Sequence, residues 1–153
     1  MKFFRGVTNC FSRFFLLLGL LVGLILANSQ SAMAETENVI GSAESNGITL
    51  TINNYTIKNY GQEMTVYYTL QSTSGQLMDE NGAELITSPD FTIGDKRVQG
   101  NDIWHKKISA QKYQGALKLE LPQYRPAISN AVLNTETILN QKGQWSINFQ
   151  IKK

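Results

Sequence analysis

From Gly47 onward the chain alternates apolar and polar residues with a period of two. Ile48, Leu50 and Ile52 interleave with Thr49 and Thr51. Met64, Val66, Tyr68 and Leu70 interleave with Thr65, Tyr67 and Thr69. Leu117, Leu119 and Leu121 flank Lys118 and Glu120, and Trp145, Ile147, Phe149 and Ile151 flank Ser146, Asn148 and Gln150. Successive side chains of a strand point to opposite faces, so each run offers one face to a core and one to water. That is the signature of antiparallel sheet. Asn53-Asn54 shifts the phase of the first run before Tyr55 and Ile57 resume it, as a bulge does. Asn59-Tyr60-Gly61, Ser74-Gly75, Asn81-Gly82, Gly100-Asn101 and Lys142-Gly143 supply turn residues between runs.

Shorter strands are predicted at 84–87, 91–93, 97–99 and 103–109. Between Pro126 and Gln141 the pattern weakens, and Ile128, Val132, Leu133, Ile138 and Leu139 predict a short helix or an irregular crossing loop. Short strands at this spacing predict an all-β fold, an immunoglobulin-like two-sheet antiparallel sandwich, with Trp145 central in its core. The sandwich is assigned to 47–153. The polar, small residues 35–46 are expected to form a flexible lead-in.

The N-terminal segment predicts an address. Phe14 to Ala27 is an unbroken apolar run of 14 residues. A spanning helix needs ~20. Lys2, Arg5 and Arg13 precede the run without any acid, and Ala32-Met33-Ala34 follows it. A basic start, a short apolar stretch and a small-x-small site describe a secretory signal, here 1–34, cleaved between Ala34 and Glu35. The expected product is secreted, extracellular or associated with the cell envelope, with no membrane span after processing. N-terminal sequencing of the exported protein should begin at Glu35; a membrane-bound form retaining Met1 would contradict the assignment. Cys10 precedes the apolar run, whereas a lipobox cysteine follows it, so Cys10 is expected to leave with the signal. No other cysteine exists, so no disulfide staples the domain.

Charge follows the same division. Three of the 14 basic residues precede Glu35 and all 12 acidic ones lie from Glu35 onward, leaving 11 basic against 12 acidic in the exported part. A near-neutral domain lacks the basic footprint of a nucleic-acid binder.

No catalytic constellation stands out. Ser109 and Lys112 have Ser-x-x-Lys spacing, but the accompanying motifs are absent, and a strand end meeting a turn is the expected structure. His105 is the only histidine, and no nucleophile-elbow sequence accompanies it. Trp104, His105, Lys106 and Lys107 form a mixed aromatic and basic cluster suited to an anionic polymer, a lipid head group or a sugar ring. Asp79, Glu80 and Glu84 crowd one turn, with Asp90, Asp95 and Asp102 in nearby loops; such oxygens at one end of a sandwich suit calcium. Among the tyrosines, Tyr67 faces away from Tyr68, and Tyr60, Tyr113 and Tyr124 are expected in turns, where some offer a binding platform. No cofactor is expected.

Two stretches carry a family resemblance. "ESNGITLTINNYTIKNYGQEMTVYYTLQS" opens the folded part with Asn-Gly-Ile, an alternating strand, a turn and a second strand, and "KGQWSINFQIKK" closes it with a Gly-x-Trp strand. This resembles the extracellular immunoglobulin-like domains of bacilli that follow a membrane segment in anti-sigma-factor-type proteins, the families of unknown function numbered 4179 and 5643. The resemblance implies an extracytoplasmic sandwich of a Gram-positive bacterium. The residues before the apolar run hold no zinc-binding module of the kind those proteins carry, so a sigma-factor-binding role is not expected. Together these readings lead to a non-enzymatic envelope or extracellular binding module, taking an anionic envelope polymer or another envelope protein. The alternatives are a small enzyme using loop carboxylates on wall or extracellular polymer, and a structural protein that self-associates through sheet edges.

Overall fold

The computed structural model describes residues 39–73, 75 and 84–152. The segment expected to be a secretory signal, 1–34, with Ala32, Ala34 and Glu35, lies outside the described residues, as do Asp79 and Glu80.

Each alternating run is a strand. Among the described residues there are nine: β1 Gly41–Ser45, β2 Ile48–Lys58, β3 Glu63–Ser72, β4 Asp90–Ile93, β5 Lys96–Gln99, β6 Asn101–Ser109, β7 Lys112–Glu120, β8 Ile128–Ile138 and β9 Gln141–Lys152. They form a five-stranded sheet in the order β1-β2-β3-β7-β6 and a four-stranded sheet in the order β5-β4-β8-β9. Every pairing is antiparallel. With β1 and β5 set aside, the order matches the ABED and CFG sheets of the immunoglobulin sandwich. The inward sides of β2, β3, β7 and β9 meet in one core, which includes Leu50, Val66, Leu117 and Ile147. Trp145 is 1% exposed, and its indole N–H donates to the Ile48 carbonyl at 2.8 Å, tying β9 to β2 across the sheets. The register shift between Ile52 and Asn54 is the bulge expected at Asn53.

Four expectations need correction. Residues 41–45, assigned to a flexible lead-in, form β1 and pair with β2. Their half-buried positions are Gly41, Ala43 and Ser45, too small to show an apolar period; the strand is made by its backbone ladder and by the Asn46-Gly47 turn, whose φ values of 50° and 74° are those of a tight hairpin connection. Residues 128–138 form the long strand β8, neither a helix nor a loop. Its buried positions include Ser129, Ala131 and Thr135, so small and hydroxyl side chains hide its period. The turn after β8 is Leu139-Asn140, at φ 51° and 60°, and Lys142-Gly143 lies inside β9. Leu139 seldom suits a left-handed position; here it is buried and donates its N–H to the Leu85 carbonyl at 2.8 Å. Finally, the strand predicted at 84–87 reduces to a single bridge between Ile86 and Ile138. Leu85 and Ile86 are both buried on a segment that crosses between the sheets.

Candidate functional site

The segment singled out by sequence, Trp104 to Lys107, lies on β6 at one edge of the five-stranded sheet. Strand periodicity divides it. Trp104 pairs with Ala116 and Lys106 with Gln114, on the outer face; His105 pairs with Gly115 and Lys107 with Tyr113, on the core-facing side. The four residues therefore do not share one surface. Lys107 places its ammonium 5.5 Å from the centroid of the Tyr113 ring. Tyr113, expected in a turn, is itself a core residue.

The inward half is a polar cluster. Asp102, with a side chain only 2% exposed, directs Oδ2 to three groups. Tyr68 Oη donates to it at 3.3 Å, the Leu85 backbone N–H donates at 3.2 Å, and His105 Nδ1 lies 3.2 Å away. Tyr68 stands on β3, and the carboxylate on β6, with β7 between them. Gly115 makes the crossing possible: a β-carbon there would sit 2.4 Å from Tyr68 Oη and 2.8 Å from the Trp104 carbonyl oxygen. Asp102 thus joins β3, β6 and the crossing segment. This arrangement is an anchor of the fold. It was missed in the sequence because contact between Tyr68 and Asp102 depends on the register of three strands.

The outer half is open. Trp104 is 46% exposed, and Tyr60 and Tyr124 project fully from loops well separated along the chain. The registers of β2, β3, β7 and β6 align Asn54, Tyr67, Ala116 and Trp104 in one transverse row. A parallel row holds Thr51, Thr69, Gln114 and Lys106. Thr69 Oγ1 donates to Asn53 Oδ1 at 3.0 Å. Farther along β7, Lys118 Nζ lies 2.8 Å from Glu63 Oε2, and this bond is the main reason the Glu63 carboxyl titrates below its ordinary range. Lys106 has no carboxylate partner among the described residues. A row of this kind is invisible to periodicity, which says which residues share a face of one strand and nothing about which strands are neighbours.

The remaining candidates separate. Ser109 and Lys112 face each other across the β6–β7 turn, and Ser109 Oγ accepts a bond from the Gln111 N–H, so Ser-x-x-Lys here is a hairpin end. Glu84 is exposed, Asp95 lies 3.6 Å from Lys96, and Asp90 meets Arg97 Nε at 2.8 Å. That bond to Asp90 raises the Arg97 pKa. No group of three His, Cys, Asp or Glu suited to a metal occurs among the described residues. A concavity of about 530 Å³ opens on the four-stranded sheet beside Asp90, Arg97, Asn134 and Glu136. Its ion pair occupies the centre of its chemistry, and it lies on the sheet opposite to Trp104.

No protein-family model matches the chain, and no curated protein matches it in sequence. A crystal structure of a conserved domain protein from Bacillus anthracis is similar to it, with a TM-score of 0.56 and 20% identity. The match covers 82% of this chain and 46% of that one, so the chain spans less than half the length of this structural neighbour. At such identity the likeness concerns the fold.

Proposed function

We propose that the domain is a non-enzymatic binding module of the extracellular space or cell envelope, and that it takes an anionic envelope polymer on the outer face of the five-stranded sheet. One observation carries the reading: an indole 46% exposed on a sheet face, two residues from an ammonium with no carboxylate partner among the described residues. An exposed aromatic supplies a flat apolar surface, and a lysine beside it supplies attraction for an anion. The N-terminal segment, read as a secretory signal, supports the compartment. Self-association through the β6 edge is the weaker reading. Register shifts between Asp102 and Trp104 and between Lys107 and Ser109 break the edge twice, and bulges and lysines are the devices that discourage strand addition.

Co-sedimentation with insoluble envelope fractions tests the proposal. Binding should weaken as salt rises past ~0.1 M, where exposed charges are screened within ~10 Å. Lys106→Ser should weaken it while stability stays within about 0.5 kcal/mol of the parent. Lys107→Ser, on the other side of the sheet, should matter far less. Equal binding by the parent and Lys106→Ser would refute the assignment of this face.

A further inference from the structure

We infer that the row Trp104–Ala116–Tyr67 is a two-ring platform for an extended, β-linked acidic glycan lying across the strands, with Lys106 receiving its acidic group. The inference rests on the binding role proposed above and names the chemistry of the ligand. Neighbouring strands lie ~4.8 Å apart, so residues two strands apart in one row are separated by about 10 Å. Trp104 and Tyr67 are such a pair, with Ala116 between them. Ala116 has no exposed surface although it points outward, as expected of a methyl group sheltered between two large side chains. Two outward rings, Trp104 exposed and Tyr67 partly exposed, held apart by a small residue suit alternate sugars of an extended chain, each presenting its apolar ring face.

The surroundings suit sugar hydroxyls. Asn54 continues the row, and Thr51 and Gln114 stand with Lys106 in the next one, where the Thr69 hydroxyl is buried and bonded to Asn53. Residues i and i+2 of a strand share a face ~7 Å apart, so Lys106 reaches a substituent of the sugar stacked on Trp104. Lys118, on the same face, is engaged by Glu63, whereas Lys106, two residues from Trp104, has no carboxylate partner among the described residues. An exported domain with 11 basic and 12 acidic residues has no global field to draw an anion, so the selectivity for acid must be this local contact. A polyol-phosphate polymer would satisfy Lys106 but has no ring face for the two aromatics. The aromatic row therefore favours the glycan.

Three soluble polymers separate these possibilities in affinity electrophoresis or calorimetry: carboxymethylcellulose, acidic with rings; hydroxyethylcellulose, neutral with rings; and poly(glycerol phosphate), acidic without rings. The expected order is carboxymethylcellulose tightest, hydroxyethylcellulose weaker and poly(glycerol phosphate) weakest. Trp104→Ala and Tyr67→Ala should each weaken both ring-bearing polymers about tenfold, the scale of one aromatic contact. Lys106→Ser should abolish the preference for the acidic polymer and leave the neutral one unchanged. Binding of poly(glycerol phosphate) as tightly as carboxymethylcellulose, indifference to Tyr67→Ala, or no binding of either cellulose would overturn the glycan inference. Should poly(glycerol phosphate) be the preferred polymer and depend on Lys106, the envelope-binding role survives while the glycan inference falls. Loss of Lys106 dependence for every polymer and envelope fraction removes both.

Discussion

Trp145→Ala is expected to destabilise the domain by about 3–5 kcal/mol, the range for deleting a large buried aromatic. Small domains have only ~5–15 kcal/mol in total, so the variant should be close to unfolding. Two losses combine. The indole fills the core at the point where β9 meets β2, and its N–H satisfies the Ile48 carbonyl at 2.8 Å. Trp145→Phe loses the donor and only the smaller ring of the indole, and should cost less, about 1–3 kcal/mol. Gly143 reports on the same packing: a β-carbon there would lie 2.4 Å from the indole ring. Denaturant unfolding of the three proteins measures both differences. A shift below about 1 kcal/mol for Trp145→Ala would contradict the inward register of β9.

Asp102→Ala is expected to cost about 2–4 kcal/mol, because buried donors lose their acceptor. Removing a buried acceptor leaves the donors aimed at it to bear their desolvation cost. Here Tyr68 Oη, the Leu85 N–H and His105 Nδ1 each lose a partner at once. Asp102→Asn keeps the shape and one acceptor oxygen and should cost less, about 1–3 kcal/mol. The two substitutions together distinguish the charge from the geometry. A neutral outcome for Asp102→Ala in thermal and denaturant unfolding would mean that the cluster is incidental to the fold.

The sequence revealed strands where one face is apolar throughout, as in β2, β3, β7 and β9. It concealed β8, because Ser129 and Thr135 occupy buried positions and a hydroxyl in the core looks like a surface residue to any hydrophobic count. It concealed β1, whose residues are small or polar and whose strand conformation comes from the partner's ladder. Asn46-Gly47 carried the missed signal, since such a pair ahead of an alternating run marks a hairpin. The candidate site was legible only in part. Trp104 and Lys106 were found, but adjacency along the chain grouped them with His105 and Lys107, which the pleat sends to the other side. Tyr67 was recognised as outward-facing; its alignment with Trp104 is a property of register across three strands, set by turns and bulges distant from both residues.

Gly115 and Ala116 have a further consequence. In consecutive positions, strand β7 presents no side chain toward the core and a single methyl toward the outside. At this point the sheet wall is little more than the thickness of its own main chain. The Tyr68–Asp102 contact lies against one side and the aromatic row against the other, and the Trp104 carbonyl abuts the space above Gly115. Mutational drift in the interior here has no padding to absorb it, so selection for a stable core and selection for a level outer surface act on the same few atoms.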